Sequence, residues 1–401
     1  MNPTSKKTWC INAFHSLSAS NDGTTRPCCM YVPHNPTGKF ILGEKTIDEH
    51  LTHPEFVQLR TDCENDVRNP GCVRCWEEED GGSESKRIRD NKKYNQQIGL
   101  VYFEASLGNQ CNIRCRTCGP HSSSQWIDEG YDTYYKKTWS IKDYRDQVKQ
   151  FYKSFEEDSN FWPDLETHLD TVKHLEFYGG EPFMSKKMWS ILELAVEKGY
   201  AKDIEVHYAT NGTLWPKQTE VWKHFKRVSV HFSIDGTDAQ FEFMRYLADW
   251  EVVKTNMAKS RTQGSNLTLG WFVTLSNLNV YYLPEIVEEY YKNYKDFRCF
   301  LNLVHAPRHF NISIMPEEVK QQVISRLKTI PKPLNSEEDS IWRQLPGIIG
   351  FIENGTPDTV LWNTFLEEIK IHDEYRKQDY TQVFPEFSKI IGLTYDRLLE
   401  N

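Results

Sequence analysis

Cys111-Asn112-Ile113-Arg114-Cys115-Arg116-Thr117-Cys118 places three thiols at CxxxCxxC spacing, directly after the β-type run Leu100-Val101-Tyr102-Phe103-Glu104-Ala105-Ser106. Thiolates are soft ligands suited to iron–sulfur clusters, which ordinarily take four of them. Three cysteines hold such a cluster and leave one iron open to a ligand from elsewhere, and the open iron is where chemistry can occur. A zinc site or a set of buried structural thiols is the alternative. Zinc knots, however, usually present CxxC pairs, so the surrounding sequence has to decide.

From about Ile98 onward, short β-rich runs alternate with longer helical stretches, the pattern of βα units around a parallel sheet. Strands are expected near 99–106, 172–178, 203–209, 227–234, 267–274 and 298–304, two fewer than the eight of a closed barrel. Several of these strands end in a short polar motif. Tyr178-Gly179-Gly180-Glu181-Pro182 follows the second, Thr210-Asn211-Gly212 the third and Ser233-Ile234-Asp235-Gly236 the fourth. The paired glycines permit close backbone approach and unusual dihedrals, and Pro182 suits the first turn of a helix. Residues two apart on a strand share a face, so Ser233 and Asp235 can meet one ligand and His231 lies on their side. Each motif alone is an ordinary turn. Arranged on successive strand ends, where barrel active sites lie, they form a set.

Together these motifs resemble the radical S-adenosylmethionine (SAM) superfamily. The resemblance implies an α/β fold, a partial (β/α)6 TIM-like barrel, with a 4Fe-4S cluster on Cys111, Cys115 and Cys118 and SAM filling the open iron site. Reductive cleavage of SAM then yields a 5′-deoxyadenosyl radical that abstracts hydrogen from a substrate. It further implies that Gly179, Gly180, Glu181 and Pro182 hold the SAM amino group, Glu181 supplying the carboxylate, and that Asn211, Ser233 and Asp235 are SAM contacts. One position departs from the family, because Thr117 stands where a bulky apolar residue usually lies beside the adenine. Radical chemistry asks little of acid–base groups. His231 and Glu104 are the catalytic candidates, with His207 a further inner-face residue; a satisfied core histidine is the alternative for each imidazole. Tyr178 and Trp271 are candidates to shield the radical.

Residues 1–97 are rich in Gly, Pro and Cys and carry six of the ten cysteines. Cys10, Gly23 and Cys28, followed by Cys72-Val73-Arg74-Cys75, resemble elements of SPASM and twitch domains, which normally lie after the barrel. That implies an N-terminal twitch-like domain with an auxiliary 4Fe-4S cluster on Cys10, Cys28, Cys72 and Cys75, with Cys29 or Cys63 as substitutes. A four-cysteine zinc knot remains the alternative. Cys299, in an expected strand, reads as a core thiol. Residues 98–315 are then the barrel and 316–401 a helical extension, in which Val360, Leu361, Phe365 and Ile369 recur at helical spacing. The runs Asp373-Glu374-Tyr375-Arg376 and Phe384-Pro385-Glu386 resemble tails of twitch-domain proteins and suggest no chemistry of their own.

The 401 residues carry a net charge of −9, which argues against bulk nucleic-acid binding. No apolar run approaches the ~18 residues of a membrane span, so a cytoplasmic location is expected. In that reducing setting, metal ligation is a better use of cysteines than disulfides. The expected function is hydrogen abstraction from a peptide or protein side chain, or from a small polar substrate, with a reductant such as flavodoxin or ferredoxin. A radical SAM dehydrogenase, epimerase or isomerase acting on a carbohydrate, nucleoside or nucleotide is one alternative. A non-catalytic iron–sulfur electron carrier or redox sensor is another, although it needs no SAM pocket.

Overall fold

The computed structural model describes residues 6–33, 40–81, 84–94, 97–335 and 339–394. Its strands are β1 (Ser16–Ala19), β2 (Thr25–Arg26), β3 (Tyr102–Ser106), β4 (Arg114–Cys115), β5 (His174–Tyr178), β6 (Glu205–Thr210), β7 (Arg227–Ser233), β8 (Arg245–Tyr246), β9 (Leu267–Leu275) and β10 (Arg298–Leu303). Eight form one sheet in the order β10-β9-β7-β6-β5-β3-β1-β2, and β4 and β8 form a separate pair. Every neighbour pair of the large sheet is parallel except β1–β2. Helices cross between the parallel strands, giving a mixed α/β fold consistent with a partial barrel. All six strands expected from the sequence are present, each within about three residues of its expected start.

Strand alternation sorts the side chains into two faces. Phe103, Leu175, Phe177, Val206, Tyr208, Val230, Phe232 and Trp271 are buried in the main hydrophobic core. They share it with Met188, Ile191 and Leu192 of the helix Lys186–Glu197 and with Val253 and Met257 of Trp250–Ser260. The opposite face is polar, and the register aligns Glu104 with Glu176 and Glu176 with His207. The helix Lys86–Lys93 packs against this inner face, with Lys86 Nζ 3.9 Å from the centre of the Tyr102 ring.

The N-terminal region is not detached from the sheet. β1 pairs in parallel with β3, Ser16 opposite Tyr102 and Ala19 opposite Ala105, and all four of its residues are buried. An edge strand leaves a row of unpaired peptide groups, and β1 satisfies that row on β3. A four-residue Ser-Leu-Ser-Ala strand carries too little pattern to be recognised in sequence. The sheet therefore crosses the boundary expected between 97 and 98. Among the described residues the elements after residue 316 are the helices Glu317–Leu327, Ser340–Glu353, Thr359–Arg376, Tyr380–Val383 and Pro385–Ile390.

Leu17 of β1 is fully buried in the main core. Leu17→Ala is expected to destabilise the whole protein by about 2–5 kcal/mol in a single denaturant transition. An unchanged main transition beside a separate, weakened N-terminal one would show that residues 1–97 unfold on their own.

Candidate active site

The cysteine loop is held by the small β4–β8 pair. Cys115 lies opposite Arg245 and Arg114 opposite Tyr246, and Arg116 donates its backbone N–H to Met244 O at 2.9 Å. This register puts the Arg245 guanidinium 3.7 Å from Cys115 Sγ and 2.7 Å from the Asp235 carboxylate. Asp235 also accepts from the Thr274 N–H at 3.0 Å, tying the end of β7 to β9. Asn211 Nδ2 reaches Cys111 Sγ at 3.7 Å and Asn112 Oδ1 at 2.9 Å. Ser233 is half-buried at the end of β7, outside this network of contacts.

The three thiols interact with one another. Burial pushes Cys111 up to about 12, with Cys115 adding to it. A hydrogen bond from Cys118 leads in lowering Cys115 below the usual thiol range, and Arg245 assists. Cys118 is raised by its hydrogen bond to Cys115 and by burial. A cation beside a thiol favours the thiolate, the form that ligates metal. The donor set and the N–H groups aimed at two of the sulfurs suit an iron–sulfur cluster, whose properties depend on such hydrogen bonds.

The Gly-Gly-Glu-Pro segment docks onto this loop. Gly180 has φ of +49°, and a Cβ there would fall 2.2 Å from Gln110 O. The glycines thus allow two loops to touch, with Glu181 N–H donating to Gln110 O at 2.7 Å. The Glu181 carboxylate is buried and accepts from Phe183 N, Thr210 Oγ1 and Asn211 N at 3.1, 2.9 and 2.8 Å. Burial pushes it up to about 7 despite these donors. Within the chain Glu181 anchors the end of β6 and so orients Asn211. Pro182 opens the short turn Pro182–Met184, as its position suggested.

The C-terminal run without an assigned role packs directly against the motif. Arg116, inside CxxxCxxC, pairs with Asp373 and donates to Gln378 Oε1 at 3.0 Å. Its guanidinium lies 3.6 Å from the centre of the Phe243 ring. Glu129, of the helix Trp126–Gly130, meets Arg114 at 2.9 Å, Arg376 at 2.9 Å and His372 at 2.6 Å. Trp126 Nε1 donates to Cys115 O at 3.0 Å, so this helix touches the loop at a ligand residue. Neither Arg245 nor Glu129 was anticipated from sequence. The available signal was the pair of arginines within a buried loop, since buried cations require anions.

On the inner face, His231 lies among His207, Phe272 and Phe300, with ring centres 4.5, 4.4 and 5.2 Å away. Burial pushes it down to about 3, so the imidazole is neutral. Glu104 accepts from Ser18 Oγ at 3.4 Å and is pushed up to about 6 by burial and by the charge of Glu176. Tyr178 donates to Glu176 Oε2 at 2.9 Å. Trp271 corrects an expectation. Its indole faces the helix layer, 3.2 Å from Met257 Sδ and 4.7 Å ring to ring from Tyr294, and so cannot shield an inner-face radical.

In the N-terminal region Cys10, Cys28, Cys72 and Cys75 line one cavity with Lys86 and Arg87. Cys63 is buried in the same small apolar cluster. Cys29 turns away to hydrogen-bond Glu104. Burial and the neighbouring thiols push Cys10 and Cys72 upward, while Lys86 opposes that shift at Cys28 and Arg87 at Cys72.

Residues 105–290 match the family model of the Radical SAM superfamily. The matched segment contains Cys111, Cys115 and Cys118 together with Glu181, Asn211, Asp235 and Arg245. The chain is 24% identical over 134 residues to a GTP 3′,8-cyclase of Aliarcobacter butzleri, covering 33% of this chain and 34% of that protein. It is 42% identical over 50 residues to a 7-carboxy-7-deazaguanine synthase of Aquifex aeolicus, covering 12% of this chain and 21% of that one. Among solved structures it resembles native anSMEcpe with bound AdoMet and Cp18Cys peptide, at 14% identity and a TM-score of 0.37 over 56% of this chain and 57% of that one. Streptococcus suis SuiB bound to S-adenosylmethionine gives 12% identity and a TM-score of 0.37 over 85% and 65%. The chain thus spans about a third or less of the length of these curated relatives and less than two thirds of either solved chain.

Glu129→Ala leaves Arg114, Arg376 and His372 buried without their shared anion. It is expected to cost about 3–5 kcal/mol, read from chemical denaturation of the reconstituted protein. Asp128→Ala, which breaks an exposed pair with Arg145 one residue away, should cost less than about 1 kcal/mol.

Proposed function

We propose that the protein cleaves SAM reductively at a cluster held by Cys111, Cys115 and Cys118 and abstracts hydrogen from a peptide or protein side chain. The observation that carries the first part is the convergence of the three thiols beside Arg245 and Asn211, inside the segment that matches the superfamily. A 4Fe-4S cluster on these three thiols would supply the electron for reductive cleavage of SAM and so the means of hydrogen abstraction. The chain's own residues hold and orient. Arg245 offsets thiolate charge, Asp235 fixes Arg245, and Glu181 fixes Asn211 against Cys111. Gly179, Gly180, Glu181, Pro182, Asn211, Ser233 and Asp235 are the proposed SAM contacts. The three chain donors on Glu181 leave it limited capacity for a further ammonium group. His231 and Glu104 remain the candidates nearest substrate, His231 as a neutral ring.

An auxiliary four-iron cluster on Cys10, Cys28, Cys72 and Cys75 belongs to the same reading, supported by their shared cavity and by the SPASM/twitch-like spacing. Lys86 and Arg87 beside those thiols suit an anionic group. The peptide substrate follows from that likeness, and flavodoxin or ferredoxin is the proposed reductant. A nucleoside or nucleotide substrate is the second reading, favoured by the two curated relatives named for guanine chemistry. Among the described residues no helix is long and apolar enough to cross a membrane.

Anaerobically reconstituted protein, reduced in the presence of SAM, is expected to form 5′-deoxyadenosine detectable by mass spectrometry. Cys115→Ala should form none, and a wild type that binds SAM without cleaving it defeats the proposal. Iron analysis should give roughly eight atoms per chain. The Cys72→Ala, Cys75→Ala double variant should fall to about half that value, whereas unchanged iron accompanied by bound zinc would identify a zinc knot.

A further inference from the structure

The inner face of the sheet carries a second cluster of ligating side chains, separate from both cysteine sets. His174 and Glu176 stand two apart on β5, and His207 lies opposite Glu176 on β6. His174 Nε2 is 3.0 Å from Glu176 Oε1, and His207 Nδ1 is 3.3 Å from the same oxygen. All three ligand atoms lie within 4.8 Å of one another. Ligand atoms on a zinc-sized ion, with bonds of about 2.0–2.2 Å, sit roughly 3–3.5 Å apart. The two separations from the Glu176 oxygen meet that requirement before any rearrangement.

We propose that His174 Nε2, Glu176 Oε1 and His207 Nδ1 bind one divalent transition-metal ion of the zinc type.

The site is built rather than merely crowded. His174 stacks on Tyr102, with ring centres 4.5 Å apart and planes at 14°. His207 is braced by His231 and Phe272 at 4.5 and 5.8 Å. The Tyr178 hydroxyl orients the carboxylate through its other oxygen, the kind of outer support that metal-binding carboxylates receive. Charge also favours a cation. Glu176 faces Glu104 across the β3–β5 pair, and Glu104 Oε2 is buried without a hydrogen-bond partner. Lys86 is the buried ammonium that faces both carboxylates. Two imidazoles and one carboxylate suit zinc and related ions, and three protein ligands leave a coordination position for water or a donor atom of substrate. The inference stands apart from the reading of the cysteines.

The test uses the full chain, expressed in zinc-supplemented medium, with its clusters reconstituted and excess metal removed on a desalting column. Elemental analysis should find one zinc per chain, and zinc K-edge absorption should show only nitrogen and oxygen neighbours. Glu176→Gln, which keeps shape and hydrogen bonding, and the His174→Gln, His207→Gln double variant should each lower zinc retention by about tenfold or more. Cluster absorbance and iron content are expected to stay unchanged in those variants. Wild-type protein that retains no zinc, or whose retained zinc has sulfur neighbours alone, overturns the proposal. Zinc undiminished in both variants overturns it equally, and because the first two results need no variant, poor folding of a mutant cannot rescue the idea.

Discussion

A neighbouring cation favours a buried thiolate, and Arg245, 3.7 Å from Cys115 Sγ, is the cation beside that sulfur. Burial charges heavily for an isolated ion, so the guanidinium must itself be paired. Asp235 does this, and its second contact with the Thr274 N–H carries the constraint into β9. One chain of contacts therefore links the cysteine loop to the ends of two parallel strands. The β4–β8 pair sets the register that makes it possible, since a shift of one residue would turn Arg245 away from the sulfur.

The same demand explains the C-terminal helix. Arg114 and Arg116 alternate with the cysteines, and each needs an anion in a place with little water. Glu129 and Asp373 supply those anions, and His372 and Arg376 complete the set. Buried ion pairs are weak sources of net stability, but losing one partner is costly. Their effect here is to specify how the helix Thr359–Arg376 seats against the loop. A region more than 240 residues away in sequence thereby becomes part of the wall behind the cysteines.

Much of this was legible in the chain. Short β-rich runs between helical stretches located six strands, because βα units around a parallel sheet impose that alternation. CxxxCxxC announced its chemistry because metal ligation requires specific atoms at short spacing. The strand-end motifs could be ordered along the sheet; Asn211 meets the cysteine loop directly, and Asp235 reaches it through Arg245. β1 escaped notice because a strand of four residues with a single large apolar side chain carries almost no pattern. Trp271 was placed on the wrong side because an aromatic residue near a strand end fits either face until the register is known.

Partner choice was beyond the sequence. Nothing local to Arg245 distinguishes it from a surface arginine, and nothing local to His174 shows that His207 will stand beside Glu176. Composition and spacing determined which residues can ligate metal, which runs can form strands and which motifs close them. Only the tertiary structure decided which cation faces which thiol, which glutamate stays inside the protein and which histidines share one carboxylate. Those outcomes depend on strand register and on the cost of leaving a buried charge unpaired, and both are settled only when distant segments pack together.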